Sequence, residues 1–307
     1  MNRKKYLAAV LSGLLLLSAA GCGGTQAQEE TGGTQAERQA ESAQSGTDAA
    51  QTEKTQDSGE QTEDIQGESA QGAATADGEL PAEAEEAISS LSEEARSAYH
   101  SVLYDIYFNH LFPDEKSYGF LAGADISENE FAIYDVDQDG SQELLIAYTT
   151  TDEAGKTAFI YDFVSALDMV REEFIEYPML TFYDNGYIEA GLSHNQGLGG
   201  ESFWPYTLYQ YDSESDTYVA ASHVDAWDRS VSGTDAEGNE FPEEIDVSGA
   251  GTVYYITPDG EDTGEPVDQA EYDAWVDSWK DGAQELEIPW LKLTDGNINR
   301  VKQQPAG

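Results

Sequence analysis

The sequence is short of positive charge, of cysteine and of histidine. Its 307 residues carry 14 Lys and Arg against 61 Asp and Glu, a formal net charge of -47. So few cations cannot neutralise a phosphate backbone, which excludes a nucleic-acid partner. The same shortage excludes a basic amphipathic helix lying on an anionic membrane. A single cysteine, Cys22, forms neither an internal disulfide nor a thiolate zinc cluster. The four histidines are scattered and give no short-spaced ligand motif.

What is present begins with a basic start, Arg3, Lys4 and Lys5, followed by an uncharged, mostly apolar run of 15 residues from Tyr6 to Ala20. That run is shorter than the roughly 20 residues that span a bilayer, so it reads as the hydrophobic region of a secretion signal. Ser18-Ala19-Ala20-Gly21-Cys22 follows. Small residues before a lone cysteine resemble the lipobox of bacterial lipoproteins, with Ala19 where that family most often has Leu. The resemblance covers residues 1–22. It implies cleavage before Cys22, a diacylglycerol on Cys22, and a mature protein held on the extracytoplasmic face of the cell membrane. The alternative is an ordinary secretory peptide with an incidental cysteine.

Residues 23–84 contain no Phe, Trp or Tyr, and their only large aliphatics are Ile65 and Leu80. Fourteen acids face Arg38 and Lys54. So little apolar surface does not offset chain entropy, and the segment is expected to stay unfolded as an acidic linker. It serves as a tether if Cys22 is anchored, or merely as a solubilising stretch.

The remaining 223 residues, 85–307, hold every aromatic except Tyr6 and a net charge of -38. A chain of this size can bury roughly 70% of its unfolded surface and build one core. The excess negative charge opposes compaction, and bound cations would relieve it. Ser90-Leu91-Ser92-Glu93 has a capping-box pattern, and Ala95, Tyr99, Val102, Leu103, Ile106 and Tyr107 form one helical stripe ending near Asn109. From Phe131 the period becomes two. Strands are predicted at Phe131–Tyr134, Glu143–Thr149, Thr157–Asp162, Met169–Phe174, Leu180–Tyr183, Tyr187–Leu192, Tyr206–Tyr211, Thr217–His223 and Thr252–Ile256. Residues 228–250 read as a long loop. A second capping box, Asp268 to Glu271, opens a short helix with Tyr272, Trp275 and Trp279 on one face. Trp290 and Leu291 suggest a last extended segment, and the tail past Asn299 reads as loose. The expected fold class is α+β: an N-terminal amphipathic helix, an antiparallel meander of about eight or nine strands, and a short C-terminal helix.

The motif with chemistry in it runs from Phe131 to Ile146. Asp135, Asp137 and Asp139 alternate, Gly140 permits a sharp turn, and Ser141 and Glu143 follow between two apolar runs. Calcium takes six to eight oxygen ligands, and these residues offer four carboxylates plus the Ser141 backbone carbonyl. Magnesium and manganese also take oxygen ligands. The twelfth residue from Asp135 is Ile146 rather than an acid, which excludes a helix-loop-helix calcium hand. Spacing and flanks resemble the strand-loop-strand calcium loops of FG-GAP repeats, which implies a hairpin stapled by a structural Ca²⁺. The likeness covers about 16 residues. No second full copy exists, since Asp212, Glu214 and Asp216 alternate but Thr217 replaces the glycine, so no propeller is inferred. The other reading is an acid-rich turn without an ion.

Ser193 to Gly200 is a polar, glycine-rich loop leading into Phe203-Trp204-Pro205-Tyr206. His194, Trp204 and Tyr206 are the candidate ligand-binding residues, either lining a cleft or offering aromatic faces to a sugar ring. Alternatively His194 is solvated and the aromatics fill the core. No nucleophile-elbow pattern marks Ser193, His194 and Asp225 as a triad. Layout resembles extracytoplasmic lipoproteins of Gram-positive-type bacteria, in which an acidic domain follows a tether. The first expectation is a calcium-stabilised, non-catalytic domain binding a cell-surface glycan, peptide or protein. The second is an extracytoplasmic hydrolase whose catalytic residues the sequence does not nominate.

Overall fold

The computed structural model describes residue 78 and residues 80–303, apart from 114, 196, 262 and 263. The signal segment, Cys22 and the linker up to residue 77 lie outside the described residues. Helices α1 (Ala82–Ser90) and α2 (Glu93–Asn109) come first, followed by strands β1 (Glu130–Tyr134), β2 (Glu143–Tyr148), β3 (Thr157–Val164) and β4 (Met169–Glu176). Strands β5 (Leu180–Phe182), β6 (Tyr187–Gly191), β7 (Tyr206–Asp212), β8 (Thr217–Asp228), β9 (Thr252–Pro258) and β10 (Pro266–Val267) follow. The chain closes with α3 (Gln269–Lys280), β11 (Leu291–Lys292) and α4 (Asp295–Lys302).

The fold is α+β, with two antiparallel sheets rather than one meander. The first has the order β11-β1-β2-β3-β4, the second β10-β9-β8-β7-β6-β5. The break falls between β4 and β5. Pro178 there has no N–H to extend a ladder, and the Met179 N–H turns back to the Tyr177 carbonyl at 2.8 Å. The eleven strands exceed the expected eight or nine by β11, which falls at the extended segment expected at Trp290 and Leu291, and by β10, which at two residues is too short to show alternation.

Alternation decides the layering. Phe131, Ile133, Leu144, Ile146, Tyr148, Phe159 and Tyr161 face α1, α2 and α4 in one buried cluster. The intervening Ala132, Leu145, Ala147 and Ile160 pack with Phe182, Ile188, Ala190 and Tyr218 of the second sheet. Strand β2 is therefore buried at all six positions, as expected of a strand covered on both faces. Tyr183 and Leu208 on the far face of the second sheet meet Trp279 of α3. Among the described residues, no helix is long and apolar enough to cross a membrane.

Three local expectations change. The helical stripe falls in α2, but its cap is Ser92, whose hydroxyl accepts the Ala95 N–H at 3.0 Å, and Ser90 ends the preceding helix. Residues 82–84, expected to belong to the unfolded linker, open α1, where Ala84 is buried. Residues 300–302, expected to be part of a loose tail, belong to α4, which is capped by the Thr294 hydroxyl and buries Ile298 and Val301 against the helical cluster; residues 304–307 lie outside the described residues. The capping box at Asp268 and Glu271 is present on α3.

Candidate metal centre

The Asp loop is the turn between β1 and β2, and its own side chains shape it. Asp137 Oδ1 accepts the Asp139 N–H at 3.0 Å, and Asp139 Oδ1 accepts the Ser141 N–H at 2.7 Å. Each aspartate thus closes a local turn on the amide two residues later. Gly140 sits at φ +97°, a conformation that side-chain-bearing residues avoid. The far end is fixed from both sides. Tyr99, fully buried on α2, donates to the Gln142 carbonyl at 2.8 Å, and Gln138 Nε2 donates to the Asp184 carbonyl at 2.7 Å.

This curl brings Asp135, Asp137, Asp139 and Glu143 together. Each offers one carboxylate oxygen, and the four oxygens lie within 4.8 Å of one another. Ser141 lies on the same turn, exposed, with its amide on Asp139. Glu143 is the innermost of the four carboxylates, only 1% exposed. Its Oε2 accepts the Val136 N–H at 2.8 Å, which leaves most of its acceptor capacity unused. Burial, followed by the fields of Asp137 and Glu173, pushes the Glu143 carboxyl up to about 10. Burial raises Asp135 and Asp137 as well. A buried carboxylate surrounded by carboxylates is costly unless a cation joins it. Converging hard oxygen donors, one of them deeply buried, fit Ca²⁺ chemically.

Sequence reasoning missed the rest of the centre. Glu173 on β4 and Asp216 in the turn between β7 and β8 gather around Asp137, again with oxygens within 4.8 Å. The pairing of β3 with β4 shifts register at Ile160 and Tyr161, from partners Phe174 to Glu172, so Glu173 is the extra residue of a β-bulge. Glu173 and Phe174 are consequently buried in succession, against strict alternation. Arg171 Nη2 lies 3.0 Å from Glu173 Oε1 and 3.7 Å from Asp162 Oδ2, and also binds Asp216. Burial, then Asp162 and Asp137, lifts the Glu173 carboxyl to about 8 despite Arg171.

The candidate ligand residues divide. His194 lines an open cleft of about 490 Å³ together with Glu176, Tyr177, Leu192, Ser193, Gly197, Pro205 and Asp225. Trp204, 44% exposed, is not part of that lining, but its Nε1 donates at 2.7 Å to the carbonyl of Leu192, which is. Tyr206 instead turns toward α3, its hydroxyl 3.2 Å from that of Tyr272. Tyr209 and Tyr211 pack on the core between the sheets, and Trp227 on a separate cluster with Phe241. Ser193 Oγ lies 2.9 Å from His194 Nδ1, a contact between chain neighbours. Burial raises the Asp225 carboxyl, with the Ala226 N–H opposing.

No protein-family model matches the chain, and no curated protein and no solved structure matches it.

Proposed function

We propose that this chain is a lipid-anchored extracytoplasmic protein whose folded domain is stabilised by Ca²⁺ at the Asp loop and binds a cell-surface glycan in the His194 cleft. The anchor reading rests on the lipobox-like residues ending at Cys22. The calcium reading is carried by one observation: Asp135, Asp137, Asp139 and Glu143 converge within 4.8 Å while Glu143 is 1% exposed. The glycan reading is supported by the polar groups of His194, Glu176 and Asp225 along the cleft and by exposed Trp204, which is tied to the lining residue Leu192.

A second reading, an extracytoplasmic hydrolase, is favoured by Asp225, whose carboxyl is raised by burial in the same cleft as His194. One experiment separates the two. Soluble cell-wall glycan fragments are titrated into the full chain in millimolar Ca²⁺ and followed by calorimetry. Saturable binding that Trp204→Ala and His194→Ala each weaken by about tenfold or more supports the glycan reading. Steady release of cleaved sugar, lost in Asp225→Asn, assigns the hydrolase. Binding that neither variant alters overturns the cleft. For the anchor, Cys22→Ala is expected to release the protein from the membrane fraction, and retention there would contradict it.

A further inference from the structure

The acidic centre contains more ligands than one loop ion uses. Asp137, Glu173 and Asp216 form a second set of converging carboxylates, drawn from the β1–β2 turn, the β4 bulge and the β7–β8 turn. Arg171 and Tyr211 hold it from outside. Arg171 Nη2 binds Glu173 Oε1 and Asp216 Oδ2, and the Tyr211 hydroxyl donates to Asp216 Oδ1 at 2.6 Å.

Three buried polar atoms at this centre have no hydrogen-bond partner: Arg171 Nε and, as possible cation ligands, Glu173 Oε2 and the Tyr218 hydroxyl. The Glu173 side chain is 1% exposed, and Tyr218 is 7% exposed. The carboxylates whose fields reach Tyr218 are those of Asp137, Glu143, Glu173 and Asp135, so its hydroxyl faces the acidic centre. Buried polar atoms in native proteins are satisfied by protein, water or ions, so each exception calls for an occupant.

We propose that Asp137, Glu173 and Asp216 hold a second Ca²⁺ beside the loop ion, with Asp137 bridging the two and the Tyr218 hydroxyl completing the shell directly or through water. The proposal rests on the calcium reading of the Asp loop.

Charge decides for a cation over a lone water. Asp135, Asp137, Asp139, Glu143, Asp162, Glu173 and Asp216 meet a single guanidinium here. Arg171 does not close over the pair as a fork, since Nη2 makes all three ion pairs and the buried Nε has no partner. A water would satisfy Glu173 Oε2 but leave Arg171 as the one cation for all these acids. One loop ion and Arg171 together still leave an excess of negative charge around two buried glutamates. A second divalent ion removes half of it and takes the unpaired oxygen as a ligand. Arg171 then serves as an outer partner, orienting two ligands from behind.

Native mass spectrometry of the full chain, titrated with Ca²⁺ alone, tests this by counting ions. The expected result is two Ca²⁺ per wild-type chain. Glu173→Gln, which keeps the side-chain shape, and Asp216→Asn, at a side chain 39% exposed and so safe for folding, should each bind one. Asp139→Asn, outside the second set, should lose the loop ion and keep the other. One ion in the wild type that persists in both Glu173→Gln and Asp216→Asn overturns the second site and leaves the loop reading standing. One ion that these variants lose and Asp139→Asn keeps overturns the loop reading and upholds the second set. No bound ion in the wild type overturns both.

Discussion

Asp137 and Glu173 present carboxylate oxygens within 4.8 Å of each other, although one sits on an open turn and the other in a β-bulge two strands away. Asp137 belongs to both acidic sets. This pairing joins the two sheets' ends around one charge problem, with Asp216 contributed by the second sheet. The stability of the domain should accordingly depend on the ionic conditions more than on its surface salt bridges, which contribute little individually.

Glu143→Gln should have opposite effects with and without Ca²⁺. With the ion, a ligand is lost, and calcium binding should weaken by at least about tenfold. In chelator, the amide oxygen can still accept the Val136 N–H while the cost of burying an acid, which must take up a proton to fold, is gone, so the variant should melt above the wild type. Melting curves in both conditions check this. A variant less stable in both would show that the Glu143 carboxylate is held by something other than an ion.

Glu189 on β6 gives a pH prediction away from the loop. Burial, chiefly, raises its carboxyl above the ordinary 4.5, with Lys280 and the Tyr183 hydroxyl opposing. The folded state thus favours the protonated form. That stabilisation is complete below the unfolded value and is lost as pH rises through the folded one. Glu189→Gln should raise the melting temperature at pH 8 and raise it less at pH 5. An equal change at both pH values would contradict the assignment.

Ile298 tests whether α4 is part of the core. It is 1% exposed and packs in the helical cluster. Ile298→Ala should cost about 2–5 kcal/mol of unfolding free energy. Asn299→Ala, on the exposed side, should change it by less than about 0.5 kcal/mol. Denaturant titration of both variants gives the comparison, and equal small effects would mean the helix is not needed.

Strong local patterns were readable in the sequence, and long-range geometry was not. Alternation located β1 to β9, and the Asp268 to Glu271 box located α3. Helix α1 escaped notice because Ala84 and Ala87 bury without being bulky. Helix α4 escaped because Ile298 and Val301 are its only large buried apolar residues amid Asn, Gly and Arg. The division into two sheets falls at Pro178, inside a linker as short as a hairpin's. At the centre, the contiguous Asp loop could be read directly from its spacing. Glu173 could not, because a bulge breaks the alternation of β4, and Asp216 stood only in the incomplete alternation of Asp212, Glu214 and Asp216, which nothing in the sequence tied to the Asp loop.

The most direct measurement is thermal unfolding of the full chain with millimolar Ca²⁺ and with a chelator, beside Asp137→Asn. Calcium at 100 times its dissociation constant should add about 2.7 kcal/mol of stability, and Asp137→Asn should abolish most of that gain because Asp137 serves both acidic sets. An unchanged melting temperature, or a rise that Asp137→Asn keeps in full, would contradict a calcium centre at these residues.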